Sequence, residues 1–589
     1  MVRMDEAALR ELARKYALQN AVFFGGKANP GAVIGKVMAE IKAESQMSGE
    51  RLSKVVSMLE EMGLIKKVSL EETEKVNSIP PAVQKVSLSL IDPSLLEKKE
   101  KEQRKGLPEL VSAVKGKVVT RFPPEPNGYP HLGHAKAAII DEGYARMYDG
   151  KFILRFDDTN PAKERKEYYE AILDGLKWLG INPDKIKNTS DDMGKIYRYA
   201  EKLIEDGNAY VCFCKIEEMR KNRSEGVECG CRNAGAEETK ENWRLMLTKL
   251  AQNEATLRLK TNMQNINTAV RDPTLFRILE GEHPMQGKKY RVWPTYDFSV
   301  AIEDHIDGVT HSMRTKEYEL RDELYFLLVK LLGLNKPELI EFSRLEMENA
   351  PLSKRKINPL IEQKLVSGWD DPRLPTLAGL RRRGFLPEAI KEFVLSMGVA
   401  KSEAVAQWEA LESANRKILD PAANRYYFVA DPVRVEIKNA PDKIVTDSLL
   451  HPDKSEAKKY ELDGKNLYVY IAGSDAKDLR KDDNVRLMHL FNIKITKIGE
   501  KYIEADYAGN DKDAKKLHWV PANSPRAILH VFGPVFQNDE FNRNSLMVKE
   551  GLVEPYASNI QEGERVQFER MGFAILEDKK SMKFNFIHK

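Results

Sequence analysis

The sequence predicts a multidomain α/β chain centred on a doubly wound parallel sheet, on three observations. From about residue 112, short apolar strands alternate with amphipathic helices, the pattern of an open sheet covered on both faces. Before that, residues 1 to about 95 read as helical, with apolar positions at three- and four-residue steps. Beyond Pro421, β-branched and aromatic runs separated by Asp, Asn and Gly suggest antiparallel β-barrels. A length of 589 residues fits roughly four domains at about 150 residues each.

The N-terminal helices rest on Leu52, Val55, Val56, Met58, Leu59 and Met62, and on Ser69 with Glu72 as a capping box before a further short helix. A charge-dense stretch from Glu97 to Gly106 has little apolar surface to bury and reads as a linker. Lys117 to Phe122 is then a buried strand, Pro123 to Pro130 a turn-rich loop, and Ala135 onward a helix. Lys151 to Phe156 is the next strand, with Asp157 and Asp158 at its carboxyl end, where such sheets bind ligands. Residues 162–207 are helical and lead into an insertion. After it, Tyr290 to Phe298 and Gly308 to Met313 are expected to resume the sheet, Glu317 to Leu334 is helical, and Ile340 to Phe342 forms a last strand. The expected division is 1–110, 111–211, 212–289, 290–358, 359–420 (helical) and 421–589.

Composition narrows the partners. With 94 basic and 90 acidic residues the net charge is only +4, so any RNA-binding face must come from segregation of charge in the fold. No run approaches the roughly 18 apolar residues that span a bilayer, and Asp5, Glu6 and Glu11 argue against a transit peptide, so a cytosolic location with no membrane partner is expected. All four cysteines fall within twenty positions: Cys212, Cys214, Cys229 and Cys231, two CxC pairs separated by fourteen residues. Four thiolates in two close pairs match a tetrahedral zinc site, although the one-residue gap departs from the commoner two to four; buried reduced thiols are the alternative. Four sulfurs close the shell, so such a metal is structural.

The sharpest signal is His131-Leu132-Gly133-His134, followed about 220 positions later by Leu352-Ser353-Lys354-Arg355-Lys356. The first lies between a strand and a helix, where free N–H groups and the helix dipole favour phosphate. Gly133 bares the backbone to a nucleotide, and His131 and His134, three apart, can face one ligand. Either segment alone is weak; in this order they resemble the paired signatures of class I aminoacyl-tRNA synthetases. Thr120 to Gly128 (Thr-Arg-Phe-Pro-Pro-Glu-Pro-Asn-Gly), Arg155 to Pro161, Trp293 to Phe298 and Gly368 to Arg373 further resemble, in order, the glutamyl/glutaminyl-tRNA synthetase family. Gly25 to Lys36 is similar to the N-terminal extension of its archaeal glutamyl members.

That resemblance implies a Rossmann-type catalytic domain that joins L-glutamate to the 3′ end of tRNA(Glu), and in archaeal members often of tRNA(Gln), through a glutamyl adenylate, with ATP and Mg2+ as substrate. It further implies that residues 212–289 bind the acceptor end and that two barrels bind the anticodon. His131 and His134 would hold the triphosphate and Lys354, on a mobile loop, would engage pyrophosphate as it leaves, with Gly133, Ser353, Glu125, Pro126, Asn127, Thr315, Arg344 and Leu345 as further ATP or adenylate contacts. Asp157 would meet the substrate ammonium and Tyr296 its side chain, while Arg121 and Arg314 would each meet a carboxylate, their assignment left open. Glutaminyl enzymes usually carry cysteine where this chain has Arg314, so glutamate is favoured; a glutaminyl enzyme is the first alternative and a noncatalytic tRNA-binding paralogue the second. Arg434, His518 and Trp519 are anticodon candidates, and the N-terminal helices are candidates for tRNA or protein binding.

Overall fold

The computed structural model describes residues 6–23, 26–46, 63–96, 106–401, 405–499, 502–511, 513–538 and 540–589. It falls into two units, Met1–Gln103 and Arg104–Lys589. No helix among the described residues is long and apolar enough to cross a membrane.

The first unit is helical: α1 (Glu6–Phe23), α2 (Pro30–Gln46), α3 (Leu64–Asn77) and α4 (Pro81–Ile91). Its core is built from Leu9, Ala13, Ala17, Val33, Val37, Val68, Val76 and Leu88, again at helical spacing. The stripe from Leu52 to Met62 lies outside the described residues. The expected capping box does not form: Ser69 and Glu72 are buried inside α3, which starts after Gly63 at φ 64. Ile65 and Val68 extend the apolar face a turn and a half upstream, and burying that face outweighs a local cap. Gln84, fully buried, donates to the carbonyls of Gly26, Val76 and Ile79. Gly26, at φ 89, must be glycine, since a Cβ there would sit 2.7 Å from Pro81.

In the second unit β1 (Val119–Phe122), β2 (Lys151–Phe156) and β3 (Lys185–Asn188) form a parallel sheet. Helix α5 (Leu132–Met147) connects β1 to β2. A four-stranded antiparallel sheet follows, made of β4 (Ala209–Cys212), β5 (Thr256–Leu259), β6 (Thr274–Ile278) and β7 (Val292–Pro294). The segment from Tyr290 to Phe298 therefore does not resume the parallel sheet: β7 closes the inserted one, and Tyr296 opens helix α6 (Tyr296–Ile306). An apolar run states that a strand is buried, not which neighbour it pairs with.

Strands β8 (His311–Thr315) and β9 (Glu338–Phe342) are a parallel pair laid against β1, where the Thr310 N–H donates to the Val119 carbonyl at 3.0 Å. The order is β3-β2-β1-β8-β9, and it reverses between β1 and β8, the switch point at which open α/β sheets place their crevice. Helices spanning Lys354–Glu362, Leu377–Arg383, Pro387–Met397 and Trp408–Leu419 then lead to two seven-stranded, barrel-like sheets. Most pairings are antiparallel, but four run parallel: Val433–Lys438 with Tyr502–Tyr507, Asn484–Leu487 with Lys515–Leu517, Asn424–Tyr426 with Arg565–Phe568, and Arg526–Phe532 with Lys583–His588. Phe573, Ile575 and Ile587 of the last strands join the same core as Phe122, Leu154 and Phe385, so this end of the chain is packed onto the body that carries the parallel sheet.

Candidate active site

A cavity of about 850 Å³ opens at the switch point. His131, Gly133, His134, Glu125, Asn127, Thr315, Arg344, Leu345, Ser353, Lys354, Arg121, Asp157, Tyr296 and Arg314 all line it, though they span more than two hundred positions; Pro126 is buried behind the wall. The loop after β1 is fastened from the far side, since the Leu132 N–H donates to Pro375 and the Leu377 N–H to Pro130.

The two histidines cap α5 reciprocally. His131 Nδ1 accepts from the Gly133 N–H at 3.0 Å, and His134 Nδ1 accepts from the His131 N–H at 3.2 Å, with the rings 4.0 Å apart. Accepting at Nδ1 puts the proton on Nε2 of each ring. Burial holds His134 down to about 4, and burial together with His134 and Arg344 lowers His131 as well, so both are neutral N–H donors at neutral pH. Gly133 has a reason that spacing did not reveal: a Cβ would lie 2.8 Å from the His131 ring folded over it.

Lys354 begins the helix Lys354–Glu362, with Ser353 as its N-cap residue. Its ammonium donates to the Asn127 carbonyl and lies 4.9 Å from the centre of the Tyr168 ring. Lys354 and the loop after β1 therefore meet at one edge of the cavity. Arg344 stands exposed at the rim, paired with Glu317 and Glu346 at 2.8 and 2.6 Å, while Leu345 behind it is buried.

The other end is a small charged pocket. Arg121, on β1, is fully buried and largely committed: Nε and Nη2 donate to Asp304, Nη2 also to Ser312, and Nη1 to the Met313 carbonyl. Arg155 donates to Asp304 and Asp307. Burial pushes Asp304 upward, but the two guanidiniums hold it well below the usual carboxylate range. Arg314, on β8, differs. Its guanidinium lies 4.1 Å over the Tyr325 ring, only Nη1 has a partner, Asp322 at 3.4 Å, and Nε and Nη2 are buried with none.

Asp157 and Asp158 separate by role. Asp158 is buried and accepts from the Ser190 N–H and hydroxyl and from Tyr169. Asp157 keeps Oδ1 buried without a partner, and burial, helped by Glu125, Asp158 and Glu164 against Arg155, pushes it up to about 8. Tyr296, the first residue of α6, has its ring 5.1 Å from Tyr318.

Some lining residues carried no sequence signal. Trp369 stacks on Tyr129 at 5.3 Å, a contact no local pattern encodes. Lys136, two positions past His134, is buried, with its ammonium on the Ser343 carbonyl and hydroxyl; its place one turn into α5 is the clue the sequence offers. Two barrel candidates fail. His518 is buried against Tyr427, with rings 4.5 Å apart, and Trp519 is buried with its indole N–H on the Met488 carbonyl; only Arg434 is exposed.

The cysteine sulfurs lie within 4.8 Å of one another, and those of Cys212 and Cys229 are 3.8 Å apart. Tetrahedral Zn–S bonds of about 2.3 Å require sulfurs about 3.8 Å apart, so the set fits that ion.

A family model described as tRNA synthetases class I (E and Q), catalytic domain, matches residues 117–421, and the anti-codon binding domains of the same family match 423–508 and 516–577. The chain is similar to the glutamate–tRNA ligase of Nitrosopumilus maritimus (strain SCM1), 44% identical over 97% of this chain and 98% of that protein. It is also similar to the glutamate–tRNA ligases of Cenarchaeum symbiosum (strain A), 43% identical over 95% of this chain and 96% of that one, and of Pyrococcus abyssi (strain GE5 / Orsay), 44% over 96% of each. With a reciprocally capping histidine pair and a lysine at one end of the cavity, a charged pocket at the other and near-complete coverage by these relatives, the chain belongs to the class I tRNA synthetases of the E and Q family.

Proposed function

We propose that the chain ligates L-glutamate to the 3′ end of tRNA(Glu) through a glutamyl adenylate formed from ATP, the nucleotide arriving as its Mg2+ complex. The activity printed for its relatives supports this reading, and the observation that carries the amino-acid choice is Arg314, a buried cation with two N–H groups aimed at no protein acceptor. A buried carboxylate needs such a partner, and a planar guanidinium matches it bidentately; a neutral amide does not.

In this reading the Nε2–H groups of His131 and His134 hold the triphosphate as neutral donors, beside the N-terminus of α5. The α-carboxylate attacks the α-phosphorus, pyrophosphate leaves, and Lys354 exchanges the Asn127 carbonyl for the departing phosphates. Asp157, ionised, pairs with the substrate ammonium, Tyr296 borders the side chain, and Arg314 takes one carboxylate. Arg121 keeps one Nη1 hydrogen for the other. Glu125, Asn127, Thr315 and Leu345 line the space between clamp and pocket as nucleotide contacts. The four cysteines would hold a structural Zn2+, which supplies a cross-link to the loop between them and no open position for chemistry.

Charging of tRNA(Glu) with labelled glutamate and, separately, glutamine tests the reading. Glutamate is expected to be ligated and glutamine not; faster charging with glutamine overturns the choice. The same assay with tRNA(Gln) decides whether the barrels admit both tRNAs.

A further inference from the structure

We propose that His283 is a positioning residue that holds Asp157 in place for the ammonium of the incoming amino acid, an inference that rests on the ligase reading above. Asp157 Oδ1 is buried with no hydrogen-bond partner, so where it points depends on the backbone that carries it. On the β1 side that backbone is fixed by the Asp157 N–H, which donates to the Pro124 carbonyl at 3.0 Å. From Asp158 to Glu164 the grip comes from farther along the chain.

His283 lies in the tight turn between β6 and β7, where its N–H donates to the Gly287 carbonyl at 2.9 Å and its carbonyl accepts from the Gly287 N–H at 2.8 Å. Its ring is buried and lies flat on Trp293, with centres 4.8 Å apart. Nδ1 accepts from the N–H groups of Met285 and Gln286, each at 3.1 Å, which puts the ring proton on Nε2. Nε2 donates to the Asp158 carbonyl at 3.0 Å and stands 3.0 Å from Glu164 Oε2, a buried oxygen that no other donor reaches among the described residues. One N–H thus draws together both ends of the loop that follows Asp157. Glu164 Oε1 closes that loop by accepting from the Asn160 N–H at 2.6 Å.

The same sheet supplies two further ties. Gln286 donates to the Ser190 hydroxyl at 3.3 Å and to Asp191 at 2.9 Å, and Ser190 in turn donates to the Asp158 carboxylate. Arg277, on β6, donates to the Thr159 carbonyl at 3.4 Å and to the Pro294 carbonyl at 3.2 Å, two residues ahead of Tyr296. Closing the turn itself needs only the backbone bonds to Gly287 and the Nδ1 acceptor. The Nε2–H is spent on the loop of Asp157, and a reacting system is sensitive to small displacements of the groups that orient it.

The test uses the full chain with three substitutions, reading kcat, KM for glutamate and ATP, and amide exchange over residues 157–164. His283→Phe keeps a ring against Trp293 without an N–H, His283→Asn keeps an acceptor for the turn without the reach to the loop, and His283→Gln keeps a donor near the place of Nε2. His283→Asn and His283→Phe are expected to raise KM for glutamate about tenfold, the scale of one lost buried hydrogen bond, with KM for ATP within about twofold. Exchange of the Asn160 amide should quicken in both, and His283→Gln should recover most of each effect. Should the Phe chain fail to fold, the Asn and Gln pair carries the comparison. An unchanged glutamate KM despite faster loop exchange, or glutamate and ATP KM values that rise together, overturns the proposal. Faster charging with glutamine would sink the choice of glutamate alone: both amino acids carry the ammonium that Asp157 meets, so the same comparison made with glutamine still reads His283.

Discussion

At the scale of single residues, the pocket is defined by which polar atoms lack partners. Arg121 and Arg314 are both buried arginines, yet Arg121 is fixed by Asp304, Ser312 and the Met313 carbonyl while Arg314 leaves Nε and Nη2 unused. An unmade buried hydrogen bond costs about 1–3 kcal/mol, so the ligand that satisfies Arg314 recovers that cost on binding. Arg314→Cys should therefore lower kcat/KM for glutamate by more than about tenfold while leaving KM for ATP near its wild-type value; unchanged glutamate kinetics would remove Arg314 from the pocket. Asp157 makes a second, pH-dependent prediction. Its native pKa is raised to about 8 from an ordinary value near 3.9, so between those limits the folded, substrate-free protein holds a proton that the unfolded chain has lost. Stability from this group thus falls as pH rises through that window, and only the ionised form above it pairs with an ammonium. kcat/KM for glutamate should climb with pH up to about 8 and then level, and Asp157→Asn should lack that limb at much lower activity. Lys354→Ala, which removes the ammonium beside Asn127, should depress turnover far more than it weakens ATP binding, measured by single-turnover rates against nucleotide titration.

At the scale of elements, legibility followed local information. The strand–loop–helix around His131 and His134 was readable because the apolar run of β1, the prolines after it and the start of α5 are all encoded within thirty positions. Ser353 to Lys356 was less so: a basic run looks like a solvated loop, whereas Ile357 and Leu360 bury one face of a helix that Lys354 begins. Ser69 looked like a cap and is core, and β7 looked like a catalytic strand and closes the insertion, because neither burial nor pairing partner is a property of the local sequence. The cysteine module is the element with its own test. Helix Ile216–Glu225 has no fully buried residue and is held by hydrogen bonds to Thr268 and Arg271 and by the pairs that flank it. Cys229→Ser, or a strong chelator, should release one zinc per chain and expose residues 212–231 to protease while the rest of the catalytic body stays resistant; full resistance with no metal released would leave the four thiols as ordinary buried cysteines.

At the scale of the whole molecule, Lys354 is supported from the far end of the chain. Ile357 and Leu360, beneath Lys354, pack with Val366, Leu374 and Val535, with Phe536 and Phe541 against the same cluster. The Phe536 N–H also reaches the Asn349 carbonyl at 3.4 Å, just ahead of the lysine segment. The barrel was legible as strands, but this contact joins positions nearly two hundred residues apart and has no local signature. If Lys354 leaves the Asn127 carbonyl to follow the phosphates, as proposed, the energy of its helix on this hydrophobic floor sets how readily it returns to a productive place. Val535→Ala removes two buried methyl groups and should cost roughly 1–3 kcal/mol of local packing. The expected result is a several-fold drop in turnover with KM for ATP and glutamate little changed, because the histidine clamp and the Arg314 pocket do not touch this cluster. A variant with wild-type turnover would show that the helix of Lys354 holds its position without the barrel.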